Sequence, residues 1–169
     1  SSLSRTNTIT IGVNSTDTED GESSHTVVVQ YRATDGDWQE GYLSTLWYDS
    51  SDSRWETNFT PTTTAALGDY DIRIMVNDTD SGSTDWSNYD DVITVVNNHP
   101  ILQNYMLSQS SVLRTSTTVI GVNSTDVEDI ESIHSILIQL RSPSGSWSTV
   151  DLSTVWYDSS EDRWEANFT

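Results

Sequence analysis

The chain has no cysteine and no lysine. Without thiols no disulfide staples the fold, no thiolate nucleophile exists, and cysteine usage points to no compartment. Without lysine, all seven cationic side chains are arginines, against 26 Asp and Glu, for a net charge of −19. Such a surface repels nucleic acid and anionic lipid, so neither is expected as a partner. It also repels itself, which favours bound cations, salt or an extended arrangement. There is no run of 18 apolar residues and no visible signal peptide, so no membrane span is expected within this segment. Histidine is scarce too. His25, His99 and His134 form no cluster with zinc spacing, and no Gly-rich phosphate loop appears. Catalysis is therefore not expected. Acidic, Ser-rich chains are often disordered, but seven Trp and seven Tyr argue for a packed core here.

What is present is one block written twice. Residues 4–60 recur as residues 113–169 at a constant offset of 109 with no gap, and 33 of the 57 aligned positions are identical. Ser44-Thr45-Leu46-Trp47-Tyr48-Asp49-Ser50-Ser51 returns as Ser153-Thr154-Val155-Trp156-Tyr157-Asp158-Ser159-Ser160. A period near 100 residues is the size of one β-sandwich domain rather than of a solenoid repeat. The two ends fall out of phase with the repeat. The chain reads as a window of a longer polymer, with repeat 1 over residues 1–98 (first strand missing or partial) and repeat 2 over residues 99–169 (last strands missing).

Along the chain, Ile9, Ile11 and Val13 alternate with polar residues, the signature of a half-buried strand. An acidic loop follows over residues 15–24. Val27, Val29 and Tyr31 face inward in a second strand, repeated as Ile136, Ile138 and Leu140. Leu46-Trp47-Tyr48 and residues 54–59 flank a turn as a hairpin, with Trp55 and Phe59 inward. Tyr70, Ile72, Ile74 and Val76 mark another strand, a polar loop covers residues 78–90, and residues 92–96 close the domain. Asn97-Asn98-His99-Pro100 is too short for a flexible tether. Residues 101–112 should open the second copy, with Leu102, Met106 and Leu107 in its core. No segment has helical periodicity. The fold class expected is all-β, in tandem seven-stranded β-sandwich repeats of about 109 residues, the second truncated.

The strand ending in Val-Asn-Ser-Thr-Asp, the Glu-Asp loop and the Trp-Tyr hairpin carry a resemblance. So do Gly68-Asp69-Tyr70-Asp71-Ile72-Arg73, Asn77-Asp78-Thr79-Asp80 and the Val95-Val96-Asn97-Asn98-His99-Pro100 exit. Together they resemble the tandem immunoglobulin-like repeats of prokaryotic, particularly archaeal, cell-surface proteins, also described as fibronectin type III-like, polycystic-kidney-domain-like or cadherin-like. The chain departs from antibody domains in lacking their Cys pair and the Trp that packs on it. The resemblance implies a spacer, adhesin, S-layer or filament component at the cell surface.

Five Asn-x-Ser/Thr sequons occur, at Asn14, Asn58, Asn77, Asn123 and Asn167. Strand alternation should turn Asn14, Asn58 and Asn77 outward, where N-linked glycans can be attached. Thr62-Thr63-Thr64 is a candidate for O-linked sugar. The acidic loops supply candidate Ca²⁺ ligands: Asp17, Glu19, Asp20 and Glu22 with Asp78, Asp80 and Asp85, and in the second copy Asp126, Glu128, Asp129 and Glu131 facing the Asn97-Asn98 link. Ca²⁺ takes six to eight hard oxygen ligands, but acidic loops are commonly just solvated, and no cofactor is required by this reading. His25 and His134 share one repeat position at a strand start, which suits a structural role. Trp38, Trp86 and Trp147 lie near turns and are the indoles expected to be exposed. The function expected is a glycosylated repeat of an extracellular filament or surface protein whose partners are copies of itself. Its truncated repeat would be completed by further chain or by a strand donated from a neighbouring subunit. The alternative is an adhesin or carbohydrate-binding array using exposed Trp and the acidic loops.

Overall fold

The computed structural model describes residues 1–16, 21–78 and 82–169. The protein is all-β, apart from single 3-10 turns at Glu22–Ser24 and Glu131–Ile133. It divides into two compact units, Ser1–Asn97 and Asn98–Thr169.

The first unit contains strands β1 (Ser2–Ser4), β2 (Ile9–Val13), β3 (Thr26–Ala33), β4 (Trp47–Asp49), β5 (Arg54–Phe59), β6 (Gly68–Asn77) and β7 (Ser87–Val96). They form two sheets, one ordered β1-β7-β6-β3 and one ordered β2-β5-β4. All neighbours are antiparallel except β1, which runs parallel to β7. β-branched residues at every second position of β2 and β3 give each strand one apolar face. These faces meet in a single core of Leu3, Val13, Val27, Val29, Tyr31, Phe59, Tyr70, Ile72, Ile93 and Val95, an arrangement consistent with a β-sandwich. Phe59 is fully buried, edge-on to Tyr31 at 5.1 Å and to Tyr70 at 5.7 Å. Burying a side chain of this size stabilises by about 1.5–3 kcal/mol. Burial also pushes the Tyr31 phenol up to about 12.

The β4–β5 hairpin has a local cause. Asp49 Oδ1 accepts the Ser51 N–H at 2.8 Å and the Ser51 hydroxyl at 2.5 Å, closing an Asx turn, and Ser53 takes a left-handed φ of 49°. Those hydrogen bonds hold the Asp49 carboxyl below its usual range. Gly68, at φ 119°, opens β6 where a side chain would be strained. β7 starts at Ser87, inside the polar loop expected over residues 78–90. Ser87, Asn88 and Tyr89 pair with Ile74, Arg73 and Ile72 of β6, so ladder pairing overrides their polar sequence.

The second unit contains β8 (Ile101–Leu107), β9 (Thr118–Thr125), β10 (Trp156–Asp158) and β11 (Arg163–Phe168), in one sheet ordered β10-β11-β9-β8. Its hairpin closes as the first does, Asp158 Oδ1 accepting from Ser160 N–H at 2.8 Å. Register repeats as well. Val13 pairs with Trp55 and Ile11 with Thr57, and 109 residues later Val122 pairs with Trp164 and Ile120 with Ala166.

Two expectations for this unit are corrected. Leu102, Met106 and Leu107 lie on β8 but are 67%, 41% and 46% exposed, not in a core. Residues 135–139 form no strand, although Ile138 is buried and Leu140 makes an isolated bridge to Ser148. The reason is the same in both cases. In the first unit β3 is held by its ladder to β6, and the face of β2 is covered by the sheet containing β6 and β7. Among the described residues the second unit shows no counterpart of β6 or β7, so the segment lacks its pairing strand and β8 lacks an opposing layer. What remains is a small cluster of Ile120, Val122, Ile138 and Ala166.

Candidate glycan sites and acidic clusters

Strand period decides where each sequon points. Asn14 follows inward Val13 and is exposed, whereas Asn58, Asn77, Asn123 and Asn167 are half-buried. None of the five is packed inside. Asn58 sits between buried Thr57 and Phe59, and its Oδ1 accepts the Thr10 hydroxyl at 2.9 Å. Among the described residues nothing bonds its amide nitrogen, the atom a glycan takes. Asn123 differs, because its Nδ2 donates to the Asp162 carbonyl at 2.9 Å. The sequon hydroxyls are also ordered, Thr60 against Thr8 at 2.8 Å and Thr169 against Thr117 at 3.0 Å. Thr62, Thr63 and Thr64 are exposed.

Of the candidate Ca²⁺ ligands, Asp17, Glu19, Asp20 and Asp80 lie outside the described residues. The others are engaged by protein donors through one oxygen or stand apart, and the buried Asp126 Oδ2 has no hydrogen-bond partner. Glu22 accepts the Tyr48 hydroxyl at 3.4 Å, and Glu131 Oε1 accepts the Ser124 N–H at 2.6 Å. Asp78 Oδ1 accepts the Gly82 N–H at 2.7 Å. Glu128 Oε2 accepts the Asn98 N–H at 3.2 Å, which joins this loop to the first residue of its own unit. Asp126 Oδ1 accepts the Glu128 N–H at 2.8 Å, and that bond holds its carboxyl below the usual range. Asp85 and Asp129 are exposed.

Among the described residues, three carboxylates converge at one place that sequence reasoning missed: Asp49, Asp52 and Glu56, with ligand oxygens within 4.8 Å of one another. The positive charge there is supplied by Arg54. Its guanidinium lies 2.7 Å from Glu56 and 3.1 Å from Asp52, with a second bond from Nε to Glu56 at 2.8 Å. Glu56 is only 7% exposed, and the Glu56 hydrogen bond raises the already high Arg54 pKa further. The second unit repeats the pair as Arg163 and Glu165 at 2.7 Å. A glycine makes room for it. A Cβ on Gly12 would lie 2.9 Å from Arg54 Nε, and one on Gly121 would lie 2.9 Å from Arg163 Nε. The signal was legible, since Gly, Arg and Glu are identical in both copies and a glycine inside a strand marks close approach.

The acidic loops are tied down by two further repeated contacts. Trp55 Nε1 donates to the Glu22 carbonyl and Trp164 Nε1 to the Glu131 carbonyl, both at 2.9 Å. Buried His25 and His134 meet Ser15 and Ser124 through Nδ1, both at 2.7 Å. In this geometry each imidazole ties the end of the loop to the end of a strand.

Two of the three indoles expected to be exposed depart from that expectation. Trp38 and Trp86 are half-buried, because arginines cover them: Arg32 and Arg73 each lie 4.6 Å from the Trp38 ring, and Arg73 lies 4.1 Å from the Trp86 ring. Trp147 is 60% exposed, with Arg141 at 4.9 Å. Among the described residues no helix is long and apolar enough to cross a membrane. No family model matches the chain, and no curated protein matches it either.

Proposed function

We propose that the chain is a pair of tandem immunoglobulin-like repeats, the second truncated, from a glycosylated extracellular filament or cell-surface protein. It acts there as a rigid spacer and assembly unit whose partners are copies of itself. The observation that carries this reading is the recurrence of one hairpin-and-strand sheet, in one register, 109 residues apart. The His–Ser, Trp–carbonyl and Arg–Glu contacts recur with it. A domain stacked as a repeat needs its internal frame preserved from copy to copy.

Outward sequons support a sugar coat at Asn14, Asn58, Asn77 and Asn167. Asn123, with its nitrogen in use, is the one expected to stay bare. The carbohydrate-binding alternative loses Trp38 and Trp86 as open platforms.

The test is production in an N-glycosylating host, followed by peptide mass spectrometry and electron microscopy. Expected are glycan masses on Asn14 and Asn58, an unmodified Asn123, and end-to-end particles. Bare Asn at all five sequons with only isolated particles would overturn the reading.

A further inference from the structure

Most indoles of this chain have a partner, and two do not. Five of the seven have an arginine guanidinium or a tyrosine ring beside them. Trp47 and Trp156, which occupy one repeat position, have neither among the described residues. They are also alike in exposure, at 37% and 36%. The same large aromatic surface is thus left open at the same point of both copies.

Beside each of them lies a sequon. Trp55 and Phe59 of β5 pack into the core, so Glu56 and Asn58 belong to the outer face of the β2-β5-β4 sheet. Trp47 pairs with Glu56 and shares that face, which places Asn58 diagonally across from it. Diagonal neighbours stand about 7–8 Å apart, within reach of an aromatic side chain. The second unit repeats the arrangement, with Trp156 opposite Glu165 and Asn167 at the diagonal position.

The Asn58 side chain is also turned the right way. Thr10, directly opposite on β2, donates its hydroxyl to Oδ1 at 2.9 Å. Oδ1 and Nδ2 leave Cγ in opposed directions. A carboxamide whose oxygen faces β2 therefore turns its nitrogen toward β4, on the other side of β5. Ser44, across from Asn58 on that side, adds little bulk, and its hydroxyl accepts the Asn58 backbone N–H at 2.9 Å.

We infer that Trp47 is the platform on which the N-linked glycan of Asn58 lies, its innermost pyranose turning C–H groups to the indole, and that Trp156 serves Asn167 in the same way. Only Cγ and Nδ2 separate the Asn58 Cβ from the first sugar ring, so that ring falls within the diagonal spacing. A glycan laid against the sheet covers the β4–β5 hairpin instead of sweeping through solvent.

This inference rests on the reading that the sequons carry glycans, and names where one of them is held. The chain is produced in a host that adds chitobiose-cored N-glycans. Peptide mass spectrometry reads the occupancy of Asn58 and the hydroxyl-radical oxidation of Trp47. Trp47 should oxidise severalfold more slowly with Asn58 occupied than in Asn58→Gln or Thr60→Ala, which abolish the sequon in different ways. Trp147 should keep one rate throughout. Stripping the sequon should lower the melting temperature of the first unit by about 2–4 °C more with Trp47 present than in a Trp47→Ala background, the size of one aromatic contact in a domain of this length. Equal oxidation with Asn58 occupied, or melting shifts that simply add, overturns the platform and leaves the glycosylated-surface reading standing. A bare Asn58 removes the occupant and the inference with it. Bare Asn at all five sequons takes the glycosylated reading down as well.

Discussion

Gly12 lacks a side chain where Arg54 lies flat across the strand, and this one contact shows how the repeat uses its few cations. The Arg54–Glu56 pair joins a half-exposed guanidinium to a buried carboxylate, so its worth lies mainly in satisfying Glu56. A Cβ at position 12 would push the guanidinium off its partner. Losing hydrogen bonds to a charged group costs about 1.5–3 kcal/mol, while replacing glycine within a strand returns about 0.5–1 kcal/mol of backbone entropy. Gly12→Ala should therefore destabilise the first unit by about 1–2 kcal/mol in denaturant titration. In an Arg54→Ala background the same substitution should become neutral or stabilising. If the two effects simply add, Arg54 is not what Gly12 accommodates.

At the scale of elements, the β6–β7 ladder slips between Tyr70 and Ile72, and Asp71 fills the irregularity. Its Oδ1 accepts the Asp91 N–H at 3.0 Å, where Asp91 takes a left-handed φ of 53°, and its Oδ2 meets Arg32 at 2.8 Å. The Asp91 bond, then Arg32, holds the Asp71 carboxyl below its usual range. A carboxyl so depressed stabilises the fold above its unfolded value, near 3.9, and that stability drains away as pH falls toward the native value. Asp71→Asn should cost about 1–2 kcal/mol at pH 7. Its deficit against the unsubstituted protein should shrink below about pH 4, a comparison in which the global charge largely cancels. A deficit constant from pH 7 to 3 would refute this. Pairing also sets local stability. Backbone amides of β3, bonded to β6, should be protected from hydrogen exchange, while those of residues 135–139 should exchange orders of magnitude faster despite the shared sequence pattern. Equal protection would mean that the second unit completes its sheet by itself.

Over the whole molecule, −19 charges on 169 residues oppose folding through self-repulsion. Raising the ionic strength from 10 to 150 mM shortens the screening length from about 30 to about 8 Å and should raise the melting temperature. Because the described loop carboxylates are engaged by protein donors or stand apart, NaCl and CaCl2 at matched ionic strength should act alike. A distinctly larger rise with Ca²⁺ would reveal ligation. Much of this protein was readable before any fold was known. Alternation determined which faces of β2, β3, β5 and β6 are apolar, the repeat determined that one hairpin occurs twice, and the sequons followed the strand period. These are local or periodic properties, carried by neighbouring residues. Only the tertiary structure decided which strands find partners. Residues 135–139 are as apolar as residues 26–30 of β3, yet burial and pairing need a second layer. It likewise decided that Arg73 covers two indoles and that Arg54 crosses Gly12, because contacts across strands depend on register between residues far apart in the chain.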